Sequence, residues 1–452
     1  MGKIRSRKLL TALAIITLSA LVISGCGNNR NESSGESGEG NKNIELSFVT
    51  WSYGVETIAD NIKKFSDMYP YIQVKHSDYS WLDYHDTIVS RFVANNFPDL
   101  LYGSDHWLYE WASAGWLVPL DDHFPKVKEY AKELTKYSIE GMTNNGKIYG
   151  LPYYADTIDF VYNDQHLKDA GFDKPPETWE EVYDMATALK NKGIVQYPIV
   201  LAWSQKEGAF PETFQSMVFG RHDGDGAFFD KDLNPIFNKE GTDVYNTLEW
   251  IRKAYKDGLI DPASLTMTEL DQVKSMQSGA HTFTVLPQYN LAELNKPGSG
   301  EFAGKFKIGL MPGKSHSTVG FVRFYAMTSG LEKKGKEALD AAWKFLEYSA
   351  GKTDGEYKVV ERWAVENGLG FAQLPLYDNQ KVREAFGKWG DIEIIRKQAQ
   401  LARAKEGMTT WYGTWDVFAR AEIHKAILDQ QSTMNTLNNL ANKWNELKSQ
   451  SK

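Results

Sequence analysis

The chain has one cysteine, Cys26, in 452 residues. That excludes an intramolecular disulfide and any cysteine-rich metal site. It has no H-E-x-x-H and no G-x-S-x-G pattern, which removes the usual signatures of zinc proteases and α/β-hydrolases. Gly313-Lys314-Ser315 resembles the end of a phosphate-binding loop, but the motif needs glycine at position 308 and Ile308 stands there. Positive charge is also scarce. The net charge is −8, and Lys and Arg are scattered rather than clustered, which argues against a nucleic-acid partner. After residue 23 no run of about 18 apolar, uncharged residues occurs, so no later segment reads as a membrane span. No internal repeat is evident.

What is present falls into three parts. Lys3, Arg5, Arg7 and Lys8 form a basic start, and Leu9–Ile23 is uncharged and mostly apolar. That stretch is short for a spanning helix of about 20 residues and reads as a signal peptide. It ends in Ile23-Ser24-Gly25-Cys26, which resembles a bacterial lipobox. The resemblance implies lipidation of Cys26 and an anchor in the outer face of a cell membrane, in a Gram-positive bacterium. Residues 27–43 are rich in Gly, Ser, Asn and Glu, and lack large apolar side chains. Such a segment reads as a flexible linker spanning about 20–25 Å.

From Ile44 onward, period-2 and period-3.6 patterns alternate. Strands are expected at 44–49, 71–75 and 100–102, with helices at 58–68 and 84–94 between them. This order predicts an α/β layer with a largely parallel sheet, whose ligands gather at the carboxyl ends of strands. A turn at 146–152 leads into a strand at 159–162. Thr178 is placed to cap a helix at 179–190. Further helices are expected at 244–255, 270–276, 338–348, 392–404, 419–428 and 433–447.

Aromatics make up 13% of the chain, including 14 Trp and 23 Tyr. Several lie beside polar residues in stretches that read as loops, such as Trp51-Ser52-Tyr53-Gly54 and Trp411-Tyr412-Gly413-Thr414-Trp415-Asp416. Rings beside carboxylates suit carbohydrate, which presents apolar C–H faces and hydroxyl rims. His222-Asp223-Gly224-Asp225-Gly226 hints at calcium but lacks the spacing and distal Glu of a calcium loop, so it reads as a solvated turn. No metal and no cofactor is expected.

Five segments in order resemble bacterial extracellular solute-binding proteins of the maltose-binding type. They are Pro98-Asp99-Leu100-Leu101 with Gly115-Trp116-Leu117-Val118-Pro119-Leu120-Asp121, then Gly150-Leu151-Pro152-Tyr153-Tyr154-Ala155-Asp156, then Val161-Tyr162-Asn163. Pro175-Pro176-Glu177-Thr178-Trp179-Glu180-Glu181 and Met276-Gln277-Ser278-Gly279-Ala280 follow. The resemblance implies a periplasmic-binding-protein-like type II fold, with two discontinuous α/β lobes joined by a hinge. Lobe one would comprise 44–154 plus 322–372, and lobe two 158–318 plus 376–450. It further implies a sugar bound between the lobes and delivery to the permease subunits of an ABC importer, by a monomer that is not itself an enzyme.

On the same resemblance, Asp156 in the first crossing segment is a sugar-binding carboxylate, with a hinge role as the alternative. Trp51, Trp81, Asp105, His106 and Trp107 are candidate contacts from lobe one. Trp203, Tyr289, Arg323 at the second crossing, Trp411 and Trp415 are candidates elsewhere, with Trp415 favoured over Trp411 and Tyr412. So many rings point to an oligosaccharide. A surface-anchored glycoside hydrolase, or a binder of another solute on the same fold, stays open as an alternative.

Overall fold

The computed structural model describes residues 43–206 and 209–451. The signal-peptide, Cys26 and most of the linker readings lie outside the described residues. Strands are β1 (Ile44–Trp51), β2 (Ile72–Tyr79), β3 (Leu100–Ser104), β4 (Thr143–Asn144), β5 (Lys147–Ile148), β6 (Leu151–Asn163), β7 (Ile199–Val200), β8 (Phe283–Pro287), β9 (Phe306–Gly309) and β10 (Gly320–Met327). The main sheet runs β2-β1-β3-β10-β6-β8-β7, with β9 also paired to β6.

β1 is parallel to β2 and β3, joined by crossover helices as such pairing requires. β10 is antiparallel to both β3 and β6, and β6 is antiparallel to β8 and β9. The sheet is therefore mixed, not largely parallel. β6 and β10 come from distant parts of the chain, so no short crossover fixes their direction.

β6 is the element that ties the molecule together. Residues 151–157 pair with β10, while 158–163 pair with β8 and β9. One strand thus serves two blocks of sheet. The expected turn and short strand are in fact a single 13-residue strand, buried at every position. Burial on both faces suits its Tyr153, Tyr154, Ile158, Phe160, Val161 and Tyr162. Pro152 is accommodated where the register shifts between Arg323 and Phe324 of β10, consistent with the bulge positions that tolerate proline.

Helices pack on the sheet through the stripes their spacing predicts. In Val55–Met68, Ile58 and Phe65 are buried. This helix begins after Gly54, whose φ is +58°, and a Cβ there would sit 2.5 Å from the Trp363 ring. Thr178 does cap the helix Trp179–Asn191, accepting from the Glu181 amide at 3.1 Å.

Two helices start earlier than their patterns suggest. Ser80 caps a helix at Trp81–Val93, so Trp81 opens a helix rather than a loop. The helix Tyr412–Ile427, with Trp411 at its N-cap, takes in the rest of the expected loop at 411–416. Gly413 and the rings are weak helix formers, but Trp415 is 5% exposed and packs on Phe229 and Trp444. Tertiary burial outweighs propensity there.

Candidate ligand-binding site

The carboxyl ends of parallel strands β1, β2 and β3 deliver a wall of rings to one end of the sheet. Trp51 is the last residue of β1, and Trp81 follows two residues after β2. Trp51 stacks on Tyr53 at 5.0 Å and 8°, and meets Trp81 edge-on at 5.4 Å. Trp81 in turn contacts Trp107 at 5.3 Å. The Trp51 ring N–H donates to the Tyr153 hydroxyl on β6 at 3.4 Å. Trp81 is 40% exposed, an unusual state for so large a ring and one that leaves part of its surface open.

Behind this wall lies a buried charge network. Asp105, just past β3, pairs with Arg323 of β10 at 2.6 Å. The Arg323 guanidinium lies 5.9 Å from the Trp81 ring and 4.7 Å from Phe321. Lys405 sits in the middle: its Nζ is 3.1 Å from Asp105 Oδ2, 2.8 Å from Glu212 Oε1 and 3.0 Å from His106 Nε2. His106 also approaches Glu212 at 3.1 Å. Burial pushes the Asp105 carboxyl up, but Lys405 and Arg323 prevail and hold it below its ordinary value. Burial likewise raises Glu212, and Lys405 and His106 pull it well below the usual carboxylate range. Burial and Lys405 lower His106 below its ordinary value, against the pull of Glu212 and Asp105.

Lys405 is held from its own side. The carboxylate of neighbouring Glu406 accepts the successive amides of Ala227, Phe228 and Phe229 at 2.8–3.3 Å. The Glu406 amide donates to Gln215 Oε1, and Gln215 Nε2 donates to the Tyr412 hydroxyl. Neither Glu212 nor Lys405 carries a local sequence signal. Glu212 lies in a mostly apolar helix and Lys405 in a polar stretch, and only the tertiary structure brings them to Asp105.

Asp156 and Tyr289 form a neighbouring pair. Asp156 is 2% exposed and accepts from the Thr157 amide, the Tyr289 amide and the Tyr154 hydroxyl at 3.0, 3.1 and 3.2 Å. A side chain at Gly370 would come within 2.8 Å of it. Burial pushes its carboxyl up to about 7 despite those three donors. Its geometry is that of a residue tying β6 to the start of the helix Asn290–Asn295. Tyr289 is partly buried, and its hydroxyl meets Glu269, which also accepts from Asn290 Nδ2 at 2.8 Å.

The other three candidates lie apart from that wall in their packing. Trp203 is fully buried, its ring N–H donating to Thr213. Trp415 donates to the Leu440 carbonyl at 2.9 Å. Trp411 is partly buried against Trp444. Tyr412, Trp415, Asp416, Phe214, Phe228 and Leu440 line a cavity of about 20 Å³, enough for one water rather than a sugar. Among the described residues no group of three His, Cys, Asp or Glu side chains could hold a metal ion. Lys405 occupies the place a cation would take, and Asp223 of the acidic turn pairs with Lys314 at 2.7 Å.

Comparison with known proteins gives this geometry a context. A family model for bacterial extracellular solute-binding proteins matches residues 60–363. The arabinooligosaccharide-binding protein of Bacillus subtilis (strain 168) is 24% identical over 372 residues, which span 80% of this chain and 79% of that protein. The maltose-bound structure of T. maritima MalE3 superposes with a TM-score of 0.74 at 19% identity, covering 89% of this chain and 100% of that one. The cyclic alpha-maltosyl-1,6-maltose binding protein from Arthrobacter globiformis gives 0.74 at 17% identity, covering 89% and 97%. The fold is thus the two-lobed α/β fold of the type II binding proteins, with β6 paired to both blocks of the sheet.

Proposed function

The chain belongs to the bacterial extracellular solute-binding protein family, and we propose from that premise that it captures a carbohydrate, most simply an oligosaccharide, for an ABC importer. The observation that carries this reading is the wall of Trp51, Tyr53 and Trp81 beside the Asp105–Arg323–Lys405–Glu212 network. Rings of this kind cover the C–H faces of a sugar, and charge-assisted hydrogen bonds take its hydroxyls. We take Trp51, Trp81, His106, Arg323 and Tyr289 as the solute contacts; in support, Trp81 lies beside Trp51 and Arg323, and His106 belongs to the charge network. Asp156 serves as the hinge tie. Trp203, Trp411 and Trp415 support lobe two from within. The relatives' carbohydrate names favour the same solute class.

The lobes are 44–154 plus 322–372 and 158–318 plus 376–450. Solute touching both lobes shifts the population toward the closed form, which docks on the permease. Cys26 carries the lipid that anchors the monomer outside the cell, and residues 27–43 are its leash. The chain binds without turning its solute over.

The test is a thermal-shift screen of the full chain against arabino- and malto-oligosaccharides, with chromatography of the sugars after incubation. A ligand that binds only the native state raises the melting point. A raised midpoint with intact sugar supports the proposal. A cleaved sugar would make the protein a glycoside hydrolase, and a flat response across the panel would point to another solute.

A further inference from the structure

Lys405 has a part that sugar contact does not require. It is 1% exposed at its side chain, yet its amine sits between carboxylates of different origin. Asp105 belongs to the β1-β2-β3-β10 block, where Arg323 fixes it. Glu212 lies in the helix Ala209–Arg221, and Lys405 in the segment that Glu406 pins to residues 227–229. The Asp105–Lys405 pair and the His106–Glu212 contact therefore join the β1-β2-β3-β10 block to the elements that carry residues 212 and 405, beside the point where Arg403 exchanges backbone hydrogen bonds with Thr318 and Gly320. On the lobe bounds proposed above, the chain passes between these groups at 154–158 within β6, at 318–322 leading into β10, and again at 372–376.

We infer that Lys405 is a built-in tie across the cleft, which holds the two lobes together before any solute arrives. This deepens the closure reading above and rests on it. In the closed form two cations, Arg323 and Lys405, are matched by two carboxylates, Asp105 and Glu212, with His106 packed against Glu212 and Lys405. The circuit is complete without an external group. Removing one member of a buried ion pair leaves the other charge dry and uncompensated, at large cost. A hinged molecule has an escape that a rigid core lacks: it opens and lets water hydrate the orphaned charge. The solute then closes a cleft that is already biased shut, and its affinity includes that bias.

The experiment measures lobe separation in the full chain without sugar. Spin labels go on cysteines replacing Val93 and Val417, exposed at 76% and 65% and assigned to different lobes. Cys26→Ser keeps the label off the native cysteine. Pulsed dipolar spectroscopy then reads the distance distribution. This labelled parent gives one dominant short distance. Lys405→Met lowers the ratio of short to long distance by about two orders of magnitude, and Lys405→Arg retains most of the short population. Should Lys405→Met fail to fold, the double variant Lys405→Met with Glu212→Gln removes the tie while leaving fewer charges unmatched, and shows the same lengthening. Identical distributions for the parent and the folded variant would overturn the inference, as would a long distance already dominant in the parent. No sugar is present, so failure of the carbohydrate reading leaves this result unchanged.

Discussion

Replacing Asp156 by asparagine should change stability in a way that depends on pH. The native carboxyl is 2% exposed, and burial raises its pKa from an ordinary 3.8 to about 7. A midpoint about three pH units higher in the folded chain than in the unfolded one is worth about 4 kcal/mol. Below about pH 4 the carboxyl is protonated in both folded and unfolded chains and costs nothing extra. As pH climbs from about 4 to about 7 the unfolded chain ionises while the folded one stays protonated, so folding loses up to about 4 kcal/mol. Above that window both are ionised and the loss is constant. Asparagine never ionises and escapes it. Its amide cannot accept from both the Thr157 and Tyr289 amides, which adds a penalty independent of pH. The stability difference between variant and native protein should therefore move in the variant's favour by about 2–4 kcal/mol between about pH 4.5 and 7.5, then level off. Urea unfolding of both proteins across about pH 4.5–8.5 measures it. A difference that stays constant over that range would refute the reasoning, because the carboxyl would then titrate as it does in water.

Further outcomes follow from the same geometry. Gly54→Ala places a Cβ 2.5 Å from the Trp363 ring at a φ of +58°, and should cost about 2–4 kcal/mol in urea unfolding. Because Trp363 stacks near Tyr53 at 6.3 Å, the tryptophan emission of the variant should shift as well. Trp81→Ala removes the most exposed ring of the wall; calorimetry with a bound oligosaccharide should show affinity falling about tenfold, with stability lowered by about 1–3 kcal/mol because the ring also packs on Trp51 and Trp107. Thr178→Ala removes a helix cap and should lower stability by about 1 kcal/mol with no change in binding.

Much of the frame was legible in the chain itself. The spacing of Ile58 and Phe65, the Thr178 cap and the β1–β3 alternation are local signals, and the corresponding elements are found. Trp51 at a strand end was legible for the same reason. The errors came where tertiary burial overrides local pattern. β6 looked broken because Pro152 and Asp156 interrupt its alternation, yet both faces are covered and it runs unbroken for 13 residues. The segment 411–416 looked like a loop because its rings stand beside polar residues and glycine, yet burial of Trp415 draws 412–416 into a helix. Glu212 and Lys405 were invisible: a charge network assembled from positions 105, 212, 323 and 405 leaves no trace in sequence spacing.

The crystal structure of the full chain with an oligosaccharide that raises its melting point, arabinotriose or maltotriose for instance, tests the central claim most directly. The account predicts a sugar ring lying on Trp51 and Trp81, with hydroxyls bonded to the seam that contains His106 and Arg323. A sugar seated elsewhere, with those two rings uncovered, would contradict it.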